Sequence, residues 1–162
     1  MSATVGNYEY AGAQAMVQLH ECHLRSCVAT WHQAFEAGVR LPDSEHDAYA
    51  SMETLLTHLI SAARQYMTWA CEQLALPDPG IRAAPRADQV LEEVEGFVEH
   101  LLERWRTPLS EVPKERFVRQ TFKSRWGVDY SVDAMLEHAV MHPIRHQHQL
   151  LALIESQAGS AG

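Results

Sequence analysis

The amino-acid sequence predicts an all-α protein that folds as a four-helix bundle. Apolar residues recur every three or four positions in four long segments, which is the period of an amphipathic helix. Only 8 glycines and 7 prolines interrupt the 162 residues, and residues of high helix propensity fill the runs between them. Because 46% of the residues are hydrophobic, the chain can bury one substantial core, and we expect residues 1–162 to form a single domain.

The first two helices are predicted on either side of a short connection. The first covers residues 8–37 and ends at Gly38 as its C-cap, and the second begins after Pro42 with Asp43 or Ser44 as its N-cap. The second helix ends before the sequence PDPG. The apolar face of the first helix carries Met16, Leu19, His23, Cys27, Trp31 and Phe35. The apolar face of the second carries Met52, Leu55, Leu59, Ala62, Tyr66, Trp69 and Leu74.

The third helix is predicted over residues 86–105, and the fourth begins after Ser131 as its N-cap and continues to about residue 156. The linker PDPGIRAAP is rich in proline, and at ~3.3 Å per residue it spans roughly one bundle height. We therefore expect a crossover connection between the second and third helices. Residues 107–130 contain several aromatic residues and Gly127, which predicts a packed loop or short hairpin over one end of the bundle.

Charge and composition exclude several classes of partner. The formal net charge of -8 and a pI near 5.6 leave no dense Lys/Arg surface for nucleic acid. The N-terminus MSATVGNYEY does not resemble a signal peptide, and no apolar run approaches the roughly 20 residues of a membrane span. We therefore expect a cytoplasmic protein that binds no membrane. Cys22, Cys27 and Cys71 lack CxxC spacing and are expected to be small core residues.

Histidines are concentrated in the segment EHAVMHPIRHQHQL at residues 137–150. His138, His142 and His146 are four positions apart, so their side chains follow one another along a single helix face. His142 and His146 fall inside the apolar stripe, His138 lies at its edge, and His148 points away. The pair His142 and His146 is therefore the strongest candidate for holding a metal ion, since residues four apart can grip one ion.

Two histidines from one helix leave a typical metal site incomplete, so a third ligand is expected from another helix. His58 is the best candidate because it lies close to the apolar stripe of the second helix. His20 and His23 on the first helix also face inward and compete with it. His32, His46 and His100 are expected at the surface. The alternative is that the inward-facing histidines bind no metal and hydrogen-bond each other, backbone carbonyls or Gln149.

Pro143 lies between the two histidines of the pair. It lacks the N–H that would bond the carbonyl of Ala139, and its ring crowds that carbonyl, so we expect a kink in the helix at the proposed site. The alternative is that the last helix begins only after Pro143. The continuous apolar pattern favours a helix that runs through the proline.

The ending LEHAVMHPIRHQHQL, with His58 and Trp69 far upstream, resembles the DinB/YfiT-like metalloenzymes, whose last helix carries a pattern close to HxxxHxxxHxxQL. The resemblance covers nearly the whole chain in length and helix order. It implies a four-helix bundle of crossover topology with the metal ligands His58, His142 and His146, and His138 as a neighbour that does not bind the metal. The sequence departs from the family at Gln147 and His148, where an Arg-Gly pair is frequent, and at Pro143.

The resemblance also implies a function. It predicts a divalent metal, zinc or nickel, and a homodimer that acts as a transferase on a low-molecular-weight thiol such as bacillithiol or mycothiol and on an electrophilic substrate. The alternatives are a metal-binding or stress-related bundle without catalysis, and a metal-dependent hydrolase. Arg64, Tyr66, Trp126 and Arg145 are candidate pocket residues for an anionic thiol or its acceptor. Because histidine must be neutral to bind a metal, activity and metal affinity are expected to fall as the pH drops through ~6.5.

Overall fold

Helices make up nearly all the regular structure of residues 6–159, which are the residues that the computed structural model describes. The helices are α1 (Ala11–Glu36), a 3₁₀ helix (Asp47–Tyr49), α2 (Met52–Gln73), α3 (Val90–Trp105), α4 (Lys114–Val118) and α5 (Val132–Ala158). Two short strands, β1 (Phe122–Lys123) and β2 (Asp129–Tyr130), pair in antiparallel fashion. The four long helices are those expected from the sequence, and the prediction of an all-α bundle is confirmed.

Helix α5 packs along α1 and also contacts α2, while α3 packs mainly on α2. Two buried tryptophans hydrogen-bond neighbouring helices through their indole nitrogens. Nε1 of Trp31 donates to the carbonyl oxygen of Met52 at 2.8 Å, and Nε1 of Trp105 donates to that of Ala63 at 3.1 Å. Both acceptors belong to α2, so each tryptophan satisfies its polar atom and fixes its own helix against α2.

Helix α2 begins later than the sequence suggested. Its N-cap is Ser51, which forms a capping box with Thr54, so the expectation that Asp43 or Ser44 caps this helix is wrong. Instead, the preceding residues form the 3₁₀ helix, whose N-cap His46 accepts a hydrogen bond at Nδ1 from the backbone N–H of Ala48 at 3.2 Å. Helix α3 likewise begins later than predicted, at Val90 and not at residue 86. Residues 76–86 form neither helix nor strand.

The two long connections match the expectation only in part, because the hairpin forms at residues 122–130 whereas residues 114–118 form the unpredicted helix α4. The linker before α3 contains no helix or strand, and Nε of Arg64 donates to the carbonyl oxygen of Ile81 at 2.9 Å, which ties the linker to α2. The hairpin of β1 and β2 turns at Gly127, whose φ of +85° lies in the region that glycine adopts freely. Nε1 of Trp69 donates to the carbonyl oxygen of Lys123 at 3.2 Å, so the hairpin is fastened to α2.

Helix α5 is continuous from Val132 to Ala158 and contains Pro143, so the alternative of a helix that begins after the proline is wrong. Its N-cap is Ser131, as predicted, and the hydroxyl of Ser131 accepts a hydrogen bond from the backbone N–H of Ala134. Cys27 and Cys71 are buried, as expected, but Cys22 is exposed. Within residues 6–159, no helix is both long and apolar enough to cross a membrane.

His20 is an unusual member of the core. Its side chain is 1% exposed, its ring stacks on that of Trp105 with 3.7 Å between centroids, and neither ring nitrogen has a hydrogen-bond partner within the described residues. Burial lowers the pKa of His20 to about 3, since a charged imidazole would lose its hydration; the neighbouring Glu21 opposes this shift and His23 adds to it. His20 is therefore neutral in the folded protein and titrates normally in the unfolded chain.

This difference predicts how acid affects stability. Between about pH 6.5 and pH 3 the unfolded chain binds a proton at His20 and the folded protein does not, so stability falls as the pH falls through this range. The slope due to His20 reaches about 1.4 kcal/mol per pH unit. We expect His20→Phe to remove that share of the slope, measured as the free energy of unfolding by urea with a chelator present. His23→Phe, on the same helix, is the control that keeps it. If plots of the free energy of unfolding against pH were parallel for His20→Phe and the parent, this account would be wrong.

Candidate metal centre

Three histidines meet at the interface of α2 and α5. His58 comes from α2, and His142 and His146 come from successive turns of α5. One ring nitrogen of each can be chosen so that all three atoms lie within 4.8 Å of one another. The ring centroids are 5.0 Å apart for His58 and His142, 5.5 Å for His58 and His146, and 4.7 Å for His142 and His146. The prediction that these three rings converge is confirmed.

The distances suit a small divalent ion. Nε2 of His58 lies 3.1 Å from Nε2 of His142. Two nitrogens that each lie about 2.0–2.1 Å from one tetrahedral ion are roughly 3.3 Å apart, so this pair needs little movement to bind a common metal. Without a metal the same two atoms can share one proton, because one neutral imidazole can donate and the other accept.

Burial leaves a polar atom of the site without a hydrogen-bond partner. His142 and His146 are each 7% exposed, and Nδ1 of His146 is buried without a hydrogen-bond partner within the described residues. A buried nitrogen without a partner costs of order 1–3 kcal/mol. A bound cation would satisfy such a lone pair after modest ring reorientation, so the donor set fits a metal better than it fits a closed network of hydrogen bonds.

Burial also keeps the cluster neutral. It lowers the pKa of His142 to about 2, with the neighbouring His146 and His58 adding to the effect. Burial lowers the pKa of His146 to about 4, and here His58 adds to the effect while Gln149 opposes it. The pKa of His58 is lowered as well, first by burial and then by His46. Since protons compete with a metal only below these values, loss of metal in acid is expected to begin below the ~6.5 of free histidine.

The other inward-facing histidines take no part in the cluster. His20 stacks on Trp105 in the core, and His23, although on the same helix, is not among the converging residues. His46 is exposed, as expected, but its ring lies 6.1 Å from that of His58. Tyr49 likewise faces His146, at 6.0 Å between ring centroids. Sequence reasoning missed His46 and Tyr49 as site neighbours because both belong to the 3₁₀ segment, where no helical repeat signals an inward face.

Gln147 holds α5 in the orientation that the site requires. Its side-chain Nε2 donates to Oγ of Ser26 at 2.7 Å and to Oγ1 of Thr30 at 3.0 Å, both on α1. Because Gln147 is the residue after His146, these bonds help to fix the rotation of α5 that turns His142 and His146 toward α2. The departure from the family pattern at position 147 therefore contributes a contact between helices.

An aromatic cluster, formed by Tyr66, Trp126, Tyr130 and His138, lies beside the three histidines. The ring of His138 is 5.3 Å from that of Trp126, 5.5 Å from Tyr66 and 5.7 Å from Tyr130. Tyr66 also approaches His142, with 5.7 Å between centroids. Trp126 is 48% exposed, so the cluster has one face in solvent and the other against the histidines. His138 belongs to this cluster and not to the converging three.

Of the two arginines expected near the site, only Arg145 acts there. It lies on α5 between His142 and His146, and its charge lowers the pKa of both histidines and of His138. Its guanidinium is exposed and forms no ion pair or hydrogen bond with any residue of 6–159. Arg64 is used differently, since it anchors the linker before α3.

These features define a class of protein, the helical bundles with a candidate three-histidine metal centre between two helices. A family model described as DinB family matches residues 16–161. Because this match covers nearly the whole sequence, the chain belongs to the DinB family. No curated protein and no solved structure matches the chain.

The three-histidine cluster predicts the outcome of a metal titration. We expect the parent protein, expressed without a polyhistidine tag, to bind one zinc ion in isothermal titration calorimetry. His142→Ala should weaken binding about 100-fold or more, because it leaves only two nitrogen ligands. His148→Ala, which removes an exposed histidine of the same helix, is the matched control and should bind zinc like the parent. If His142→Ala and His148→Ala bound zinc with equal affinity, the proposed metal site would be wrong.

Proposed function

We propose that this DinB family member binds a divalent transition metal through His58, His142 and His146 and uses it as a transferase on a low-molecular-weight thiol. The observation that carries the proposal is the convergence of three neutral histidines from two helices. Imidazole ligands suit zinc and nickel, whereas magnesium and calcium prefer oxygen ligands, and the cluster contains no carboxylate.

Three protein ligands are typical of catalytic zinc sites, which keep a fourth position for water or substrate, while structural sites use four. When bound, the metal would supply Lewis acidity that lowers the pKa of a coordinated thiol, and the resulting thiolate is the nucleophile. His46 does not complete a four-histidine site in this conformation. Its Nδ1 accepts a hydrogen bond from the backbone, so its proton is on Nε2, where a ligand would need a lone pair.

The surroundings of the centre favour an anionic thiol. Arg145 places a positive charge beside three neutral histidines and has no carboxylate partner in the described part of the chain, so it can bind the carboxylate of a substrate. The aromatic cluster offers an apolar wall next to it, with the exposed ring of Trp126 at the solvent side. A thiol that carries carboxylates, such as bacillithiol or glutathione, fits this combination better than mycothiol, which carries none.

Conjugation of a thiol to monochlorobimane tests the proposed activity. In this reaction a sulfur–carbon bond forms, the carbon–chlorine bond breaks, the thiol proton passes to solvent, and chloride leaves with the bonding electrons. We expect zinc- or nickel-loaded protein to accelerate the reaction, and both chelation and His142→Ala to remove the acceleration. His23→Ala, which removes a histidine of α1 outside the cluster, should retain it. Equal rates with and without metal would leave a metal-binding bundle without this catalysis.

Arg145 allows a second prediction about the thiol itself. Arg145→Gln should raise KM for bacillithiol by about tenfold, since roughly 1–2 kcal/mol of charge-assisted hydrogen bonding is lost, and should leave KM for mycothiol unchanged. Arg119→Gln, which removes an exposed arginine outside the site, is the control. A KM for bacillithiol that does not respond to Arg145→Gln would show that this guanidinium does not bind the thiol.

A further inference from the structure

A cavity of about 680 Å³ opens beside the candidate metal centre. It lies between the connection that precedes α2 and the C-terminal half of α5. Its apolar wall is formed by Leu41, Pro42, Tyr49, Leu55, Leu150 and Leu153. A volume of this size is within the range of pockets that hold small organic molecules.

The cavity lies one helical turn from two of the three histidines. On α2, Leu55 comes three residues before His58, and on α5, Leu150 comes four residues after His146. Side chains at these spacings are neighbours on a helix surface, with about 5–6 Å between their Cβ atoms. None of the three histidines lines the cavity, but two of them lie about one helical turn from it, a distance that a small organic molecule spans.

Two residues belong both to the cavity wall and to the surroundings of His146. The ring of Tyr49 faces His146 at 6.0 Å between centroids, and Gln149 acts on the pKa of His146. Neither the aromatic cluster nor Arg145 lines this cavity. Tyr66 follows His58 along α2 and His138 precedes His142 along α5, so the aromatic cluster lies in the opposite direction from Leu55 and Leu150.

The chemistry of the wall selects a neutral, apolar occupant. Asp43 is the only acidic residue of the lining, no lysine or arginine lines the cavity, and the other polar lining residues are Ser44, His148, Gln149 and Ser156. An anionic group placed here would meet a carboxylate and no lysine or arginine. An anionic group on the other side of the histidines would meet Arg145.

We propose that this cavity binds the apolar part of the electrophilic substrate, whose reactive atom lies at the three histidines. The proposal rests on the proposed function and adds the substrate class, which is an electrophile with a neutral aliphatic or aromatic substituent. The thiol then approaches from the side of Arg145 and the aromatic cluster, and the two substrates meet at the histidines from opposite directions along α2 and α5.

Alkyl hydroxamates test the proposal by binding alone. The hydroxamate head binds zinc, and the alkyl chain probes the cavity. With zinc-loaded protein in calorimetry, we expect affinity to rise about two- to fourfold for each methylene added between acetohydroxamate and octanohydroxamate, which is the gain from burying a methylene. Affinity that does not depend on chain length would overturn the proposal.

A matched pair of variants on adjacent residues of α5 localises the effect. Both residues are exposed, but Ala152 lines the cavity and Leu151 does not. We expect Ala152→Trp to fill the cavity and remove the dependence on chain length while acetohydroxamate binds as before. Leu151→Trp should keep the dependence. A chain-length gain that survives in Ala152→Trp would place the alkyl chain elsewhere and overturn the assignment.

A metal-free arm separates this proposal from the proposed function. Binding of 1-octanol to the metal-free protein is measured from changes in amide NMR chemical shifts. We expect saturable changes around Leu150 and Leu153 in the parent and none in Ala152→Trp. If acetohydroxamate fails to bind zinc-loaded protein, the proposed metal function fails while the octanol result still decides the cavity. No octanol binding, or binding that weakens as protein concentration rises because a second copy covers the cavity, would overturn the inference.

Discussion

The candidate site depends on bringing three imidazoles together with two of them buried. Burial makes a proton expensive at His142 and His146, and each ring makes a proton more expensive on its neighbours, so the pKa of each is far below that of free histidine. The cluster is stable only as neutral rings, and neutral rings expose lone pairs. A cation can satisfy several lone pairs at once. Burial of these lone pairs therefore makes the site costly without a metal and favours the binding of one.

Much of the surrounding architecture serves to hold this arrangement. Gln147 ties α5 to α1 through Ser26 and Thr30, which sets the rotation of the helix that carries two of the histidines. Pro143 lies between those two histidines in an unbroken helix, although proline in a helix interior costs about 3 kcal/mol when nothing compensates. The side chain of Pro143 is buried, so packing against the bundle offsets part of that cost.

The centre divides its surroundings into two unlike halves. Toward the β1–β2 hairpin lie aromatic rings and an exposed guanidinium, which suit a polar, anionic molecule with a flat surface. Toward the 3₁₀ segment lies a largely apolar cavity whose lining includes Asp43 but no lysine or arginine. This asymmetry agrees with the proposed function, in which two substrates approach one point from different sides.

The sequence by itself determined the four long helices and half of the site. Periodicity placed four long helices, Ser131 marked the start of α5, and the spacing of His142 and His146 put both on one face, because helical phase depends only on positions within one segment. The choice of His58 over His20 and His23 could be favoured from the sequence, but only packing decided it, since two residues on different helices meet according to how those helices pack. The same reason explains the burial of His20 against Trp105, the approach of His46 and Tyr49, and the apolar cavity. Each of these arises from non-periodic segments or from contacts between helices, whose geometry the residues of any one helix do not contain.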